Sequence, residues 1–157
     1  MTINPKYGGT RGHTLVELTV VMLVIGVLAS FGVPQFVHSL EQARLDMAAT
    51  NLRAIWTAQR LYWLAHQTYA PDLNSLYTDP VDGENFLAMP DPVDPTPPYY
   101  ACAVTPGSAT ATDFQATATR FPSTSWLGNL SIGSNGSVMG SITGPDGYVY
   151  NPTPNFQ

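Results

Sequence analysis

Residues 18–40, LTVVMLVIGVLASFGVPQFVHSL, contain no Asp, Glu, Lys or Arg. As a helix these 23 residues reach roughly 35 Å at about 1.5 Å each, enough to cross a hydrocarbon layer of about 30 Å. A cleaved secretory signal is the competing reading of an apolar stretch near an N-terminus. This one is too long for that reading, an acid (Glu17) stands at its start, and it continues without a turn signal into an amphipathic pattern. The stretch therefore reads as the first half of a long helix and as a membrane span. Ahead of it lies MTINPKYGGTRG, polar and carrying Lys6 and Arg11, the basic flank that stays on the cytoplasmic side. The rest of the chain is then expected outside the cytoplasm.

Glu17 requires an explanation, because an ionised carboxylate in a bilayer costs at least a few kcal/mol unless it is paired. An acid in a first helical turn also sits well against the positive end of the macrodipole. Its context is Gly12-His13-Thr14-Leu15-Val16-Glu17-Leu18, with basic residues before and an apolar helix after. This block closely resembles the type IV pilin-like family, whose members carry a leader ending in Gly, a cut directly after it, a Thr-Leu-x-Glu-Leu pattern and an apolar helix. His13 stands where the family usually has Phe or Met.

The resemblance implies a leader of residues 1–12, cleavage between Gly12 and His13 by a prepilin peptidase, and methylation of the new amine on His13. It implies that residues 13–40 serve as membrane anchor and then as filament core, and that residues 41–157 form an extracytoplasmic domain. Glu17 would pair with the terminal amine of a neighbouring subunit and set axial register during assembly, since an unpaired charge in an apolar bundle is penalised. Gly26, Gly32 and Pro34 mark a segment that can kink, or lose helicity on assembly. The implied partners are other pilin-like subunits, the peptidase, the inner-membrane assembly machinery, and the membrane itself before assembly. The final site is a filament outside the inner membrane.

Beyond residue 40, Leu45, Ala48, Leu52, Ile55, Gln59 and Tyr62 recur at helical spacing, with Trp56, Arg60 and Trp63 as a second row beside them. No Gly or Pro interrupts residues 35–70, so one helix is expected from about residue 13 to about residue 66, roughly 80 Å long. Heptad continuation is too weak for a coiled coil. The face suits a sheet on one side and neighbouring subunits on the other. A turn-rich stretch follows, with Tyr69, Pro71, Leu73 and Leu76, an arrangement also similar to pilins and pseudopilins.

Residues 79–98 hold six prolines and five acids (Asp79, Asp82, Glu84, Asp91, Asp94) and read as a solvated acidic loop. A calcium loop of regular spacing is absent, although the run from Leu87 to Tyr100 is loosely similar to a pseudopilin loop that binds calcium in some members. No metal and no cofactor are expected. In the C-terminal third, about residues 99–143, alternation predicts three or four antiparallel strands. Phe114, Ala116 and Ala118 share one face, and Ser134-Asn135-Gly136 forms a hairpin turn. Phe114, Ile132 and Val138 are expected to face the helix. The Pro/Gly/Asn-rich tail is expected to wrap the surface or to move. The fold class is thus α+β, a long N-terminal helix on a small antiparallel sheet.

The 157 residues carry 6 Lys+Arg against 11 Asp+Glu. Loss of Lys6 and Arg11 leaves four basic against eleven acidic side chains, a net of −7. Nucleic acid is therefore not expected as the main partner. One cysteine, Cys102, excludes an intrachain disulfide and a multi-cysteine metal site, and reads as a small core residue. His13, His38 and His66 have no partners at metal-ligand spacing, and no nucleophile or phosphate-loop motif occurs. An enzyme is not expected. The reading is a type IV pilus-like filament subunit. A type II secretion pseudopilin, or a membrane-anchored module for adhesion or DNA uptake, would share its anchor.

Overall fold

The computed structural model describes residues 14–79, 81, 83–87, 99–121 and 123–153. Helix α1 (Leu15–His66) is followed by a short helix α2 (Asn74–Tyr77) and five strands: β1 (Tyr100–Val104), β2 (Gln115–Arg120), β3 (Leu127–Gly133), β4 (Val138–Thr143) and β5 (Val149–Tyr150). The chain divides into two compact units, residues 1–38 and 39–157. The described part of the first is helical from Leu15 onward, and every residue from 14 to 37 is exposed.

In the second unit, the row Leu45, Ala48, Leu52, Ile55, Gln59 and Tyr62 is buried throughout, as the helical spacing requires. The flanking row is partly buried at Trp56 and Trp63. Their indole N–H groups donate to Ser134 O at 3.0 Å and Ala111 O at 2.8 Å, so each ring packs while its polar edge is satisfied. The α1 helix ends at Gln67, whose φ of +57° places it in the left-handed region usually occupied by glycine. Just beyond, the side chain of buried Gln59 donates to Ala70 O at 3.0 Å and accepts Ala70 N–H at 2.8 Å. One amide thus satisfies both polar groups of a fully buried residue and turns the chain back along the helix.

The sheet is an antiparallel meander in the order β1-β2-β3-β4-β5. It has five strands rather than three or four. The added strand is β5, in the expected tail, where Ile142 pairs with Tyr150 and Thr143 with Val149. Two-residue strands leave little sequence pattern, and the Pro/Asn-rich surroundings of this one read as loop. Along β2, Phe114, Ala116 and Ala118 are buried while Gln115 and Thr119 are exposed. Phe114 and Ile132 are fully enclosed in the core shared with α1, and Val138 packs at its margin.

The β3–β4 hairpin forms at the expected residues but with a different turn. Gly136 N–H donates to Gly133 O at 3.0 Å, which makes Ser134 and Asn135 the central pair. Neither has a positive φ, whereas Gly136 has φ +77°. This is a right-handed turn closed by a left-handed glycine, not an Asn-Gly pair at the turn centre. Trp56 explains the glycine as well, since a Cβ at Gly136 would meet its ring at 3.0 Å.

Candidate functional site

The first unit begins with a helix cap. The hydroxyl of Thr14 accepts the Glu17 N–H at 3.2 Å, and Thr14 O accepts the Leu18 N–H at 3.1 Å. Thr-x-x-Glu before an apolar run is a capping signature, and here it ties down otherwise orphaned N–H groups. Glu17 lies in this first turn. The spacing of Thr14 and Glu17 carries this cap in the sequence, a signal that composition and hydropathy alone do not reveal. Gly12 and His13 lie outside the described residues, as does the leader.

Beyond the cap, α1 is long and apolar enough to cross a membrane. Its exposed side chains include Leu15, Leu18, Met22, Leu23, Ile25, Leu28, Phe31 and Phe36. Gly26 and Gly32 have no contact within 4 Å of where a Cβ would stand. Helical assignment continues through Pro34, although proline removes the N–H that would pair with Ser30 O. The Ser30 hydroxyl bonds back to Val27 O at 2.7 Å.

In the second unit, a charged cluster lies at the start of that unit's stretch of α1. Glu41 is 3% and Arg120 8% exposed. Arg120 Nε donates to Glu41 Oε1 at 2.7 Å and Nη2 to Oε2 at 3.3 Å, a bidentate pair. Arg44 reaches Oε2 at 3.0 Å, and the Tyr100 hydroxyl donates to Oε1 at 3.3 Å. Burial, and next the negative charge of Glu41, drive the Tyr100 phenol pKa well up. Arg120 also donates to the carbonyls of Tyr99 and Phe121 and lies over the rings of Tyr99, Tyr100 and Trp126. Strand parity carried the signal: Arg120 follows Phe114, Ala116 and Ala118 on the inward face, and an inward arginine requires an acid. A second tie joins the tail to the helix, where Asp46 accepts the Thr153 N–H at 3.0 Å and Gln42 donates to Asn151 O at 2.8 Å.

One expectation about a polar group is corrected. Asp79 is buried rather than solvated: its Oδ2 meets His66 Nε2 at 2.5 Å and its Oδ1 accepts the Val81 N–H at 2.7 Å. Tyr62 packs on the His66 ring at 4.4 Å. A carboxylate that caps its own loop while facing a helix end is excluded from water by both partners. Of the other loop acids, Glu84 is exposed, and Asp82, Asp91 and Asp94 lie outside the described residues. Among the described residues, no three His, Cys, Asp or Glu side chains converge as a metal site. Cys102 is half-buried at the core margin, and burial pushes its thiol up to about 11.

A long N-terminal helix laid on an antiparallel sheet, with a capped acidic turn opening its apolar half, is a pilin-like α+β arrangement. Comparison with known proteins agrees. The chain is 32% identical over 83 residues to the type IV major pilin protein PilA of Myxococcus xanthus, covering 53% of this chain and 36% of that protein. It is 36% identical over 76 residues to the type II secretion system core protein G of Vibrio cholerae, covering 46% of this chain and 52% of the relative. The corresponding protein of Pseudomonas aeruginosa is 36% identical over 58 residues, 37% of this chain and 41% of its own length. The matches thus span about a third to a half of these relatives. No family model and no solved structure matches the chain. The relatives, a major pilin and secretion core proteins, are consistent with the type IV pilin-like family.

Proposed function

We propose that this chain is a structural subunit of a type IV pilus-like filament, held in the inner membrane by residues 13–40 before assembly and packed through them afterwards. One observation carries the reading. Every residue from 14 to 37 is exposed, and from Leu15 onward they form an apolar helix. Apolar surface of this extent requires a lipid or protein partner. The work is mechanical, performed by addition and loss of subunits, and calls for neither a catalytic residue nor a cofactor.

In this reading a prepilin peptidase cuts between Gly12 and His13, the His13 amine is methylated, and the remaining chain lies outside the cytoplasm. Glu17 becomes the fifth residue of the mature chain and pairs with the terminal amine of the next subunit. Gly26, Gly32 and Pro34 supply a segment whose helix can kink or open as subunits pack, because the Ser30 carbonyl already lacks its usual donor. The similarity to type II secretion core proteins supports a pseudopilus as the alternative filament. Filament incorporation of Glu17→Ala and Glu17→Gln variants tests the pairing. Both are expected to accumulate in the membrane and to be depleted from filaments, and undiminished incorporation would remove the register role.

A further inference from the structure

The sheet of the second unit has two unlike ends. At one lie the starts of β1, β3 and β5 and the ends of β2 and β4, as the register rows Tyr100↔Arg120 and Leu127↔Thr143↔Val149 show. Glu41 and Arg44, at the beginning of this unit's stretch of α1, bond to Arg120 and stack on Tyr99 at this same end. The connections here carry exposed Tyr99, Phe121 and Tyr148, with Leu127 beside them and Trp126 half-buried. They are joined to one another: Phe121 N–H donates to Tyr99 O at 2.7 Å, Trp126 packs on Tyr150 at 5.9 Å, and Tyr148 on Tyr150 at 4.8 Å. Asp146 is the one acid of these connections among the described residues.

At the opposite end, the β1–β2 and β3–β4 connections expose Pro106, Gly107, Thr110, Ala111, Thr112, Asp113, Asn135 and Ser137, with no aromatic residue among them. Among the described residues of the second unit, exposed aromatic residues are thus confined to the connections beside Glu41, which follows the apolar stretch directly in the chain. Tyrosine and tryptophan pair an apolar ring with a polar tip and concentrate where hydrocarbon meets water. Arg44, lying 3.8 Å over the Tyr99 ring, has a long apolar stem with a charged head suited to the phosphate layer.

We propose that this end of the second unit is a membrane-interface collar, in which Tyr99, Phe121 and Tyr148 enter the headgroup layer of a phospholipid bilayer around the point where the chain leaves it. The proposal rests on the reading that residues 18–40 span a membrane. The occupant is lipid because Glu41, bonded to Arg120, and Arg44, stacked on Tyr99, tie this end of the sheet to the residues that directly follow the span in sequence. Assembly would withdraw the collar from lipid, so the membrane-held and filament-held subunits differ in what covers these rings.

The test uses the full chain reconstituted into phosphatidylcholine–phosphatidylglycerol vesicles whose lipids are brominated in the upper acyl chain. One variant keeps only Trp126 (Trp56→Phe, Trp63→Phe); another keeps only Trp63, about 33 Å further along α1 from Glu41 at standard rise. Flotation with the vesicles reports the span, and bromine quenching reports the collar. The expected result is flotation of both variants, with Trp126 emission reduced about twofold and Trp63 emission unchanged, as depth-dependent contact requires. Flotation with Trp126 unquenched would overturn the collar and leave the span intact; failure to float would overturn both. Because the substitutions remove two indole hydrogen bonds, hydroxyl-radical footprinting of the unaltered chain in vesicles supplies a second readout. Phe121 and Tyr148, 53% and 51% exposed, should be protected relative to Met139 at 55%. Equal oxidation, after correction for intrinsic reactivity, would overturn the proposal.

Discussion

Replacing Arg120 by alanine removes the centre of the buried cluster that ties the start of the second unit's helix to its sheet. Glu41, 3% exposed, would lose two hydrogen bonds of 2.7 and 3.3 Å and retain Arg44 at 3.0 Å and the Tyr100 hydroxyl at 3.3 Å. The carbonyls of Tyr99 and Phe121 would lose a donor as well. Removing one member of a buried pair costs about 3–5 kcal/mol, mostly because the other charge is left poorly compensated. For a unit of this size that corresponds to a fall in Tm of roughly 10–20 °C. The assay is thermal and urea unfolding of the full chain in mild detergent, followed by near-ultraviolet circular dichroism. Replacing both charges (Glu41→Leu with Arg120→Met) removes the orphaned carboxylate, so the double variant should recover at least about 1–2 kcal/mol over Arg120→Ala. A loss below about 1 kcal/mol for Arg120→Ala, the range of an exposed pair, would refute the reasoning.

Two further outcomes follow from the packing. Because burial raises the Cys102 thiol from its ordinary 9.0 to about 11, alkylation by iodoacetamide should accelerate through a midpoint near 11 rather than 9 when followed by mass. In the unfolded chain the thiol ionises first, so the stability it contributes is fully present below pH 9 and lost as pH rises towards about 11, at up to about 1.4 kcal/mol per unit. Gly136→Ala meets both a positive φ and the Trp56 ring at 3.0 Å. It should lower stability by about 1–3 kcal/mol in urea titration, and an effect within about 0.5 kcal/mol would mean that the turn adapts freely.

The parts of this fold that were legible in the sequence are those where one periodicity persisted. The row from Leu45 to Tyr62 is buried residue for residue, and Phe114, Ala116 and Ala118 share the inward face, because a regular pattern of small and large apolar side chains has only one face on which to pack. Where a polar residue interrupted such a pattern, the reading stopped short. Arg120 holds the inward parity of β2 but was not paired with Glu41, since its partner lies 79 positions away and no local spacing connects them. Asp79 looked solvated among prolines and acids, yet its depth depends on His66 and on its own backbone cap. The end of α1 at Gln67 and the strand β5 escaped for a different reason. A left-handed glutamine and a two-residue strand are fixed by tertiary packing, which overrides local preference. At the candidate site the apolar segment was plain from composition and Glu17 was singled out by the resemblance of residues 12–18 to the pilin-like family, whereas the Thr14 cap, carried in the sequence only as a spacing, stands out through its hydrogen bond.

The most direct measurement of the central claim is the intact mass and terminal sequence of this chain recovered from shed surface filaments and, separately, from membranes. The account predicts a filament species that begins at His13, with the mass of a methyl group on its amine, and a membrane pool that includes the uncut chain. A mature form beginning well beyond residue 40, with none of the chain in filaments, would contradict it: the apolar stretch would then be a discarded export signal and the second unit a protein that works alone.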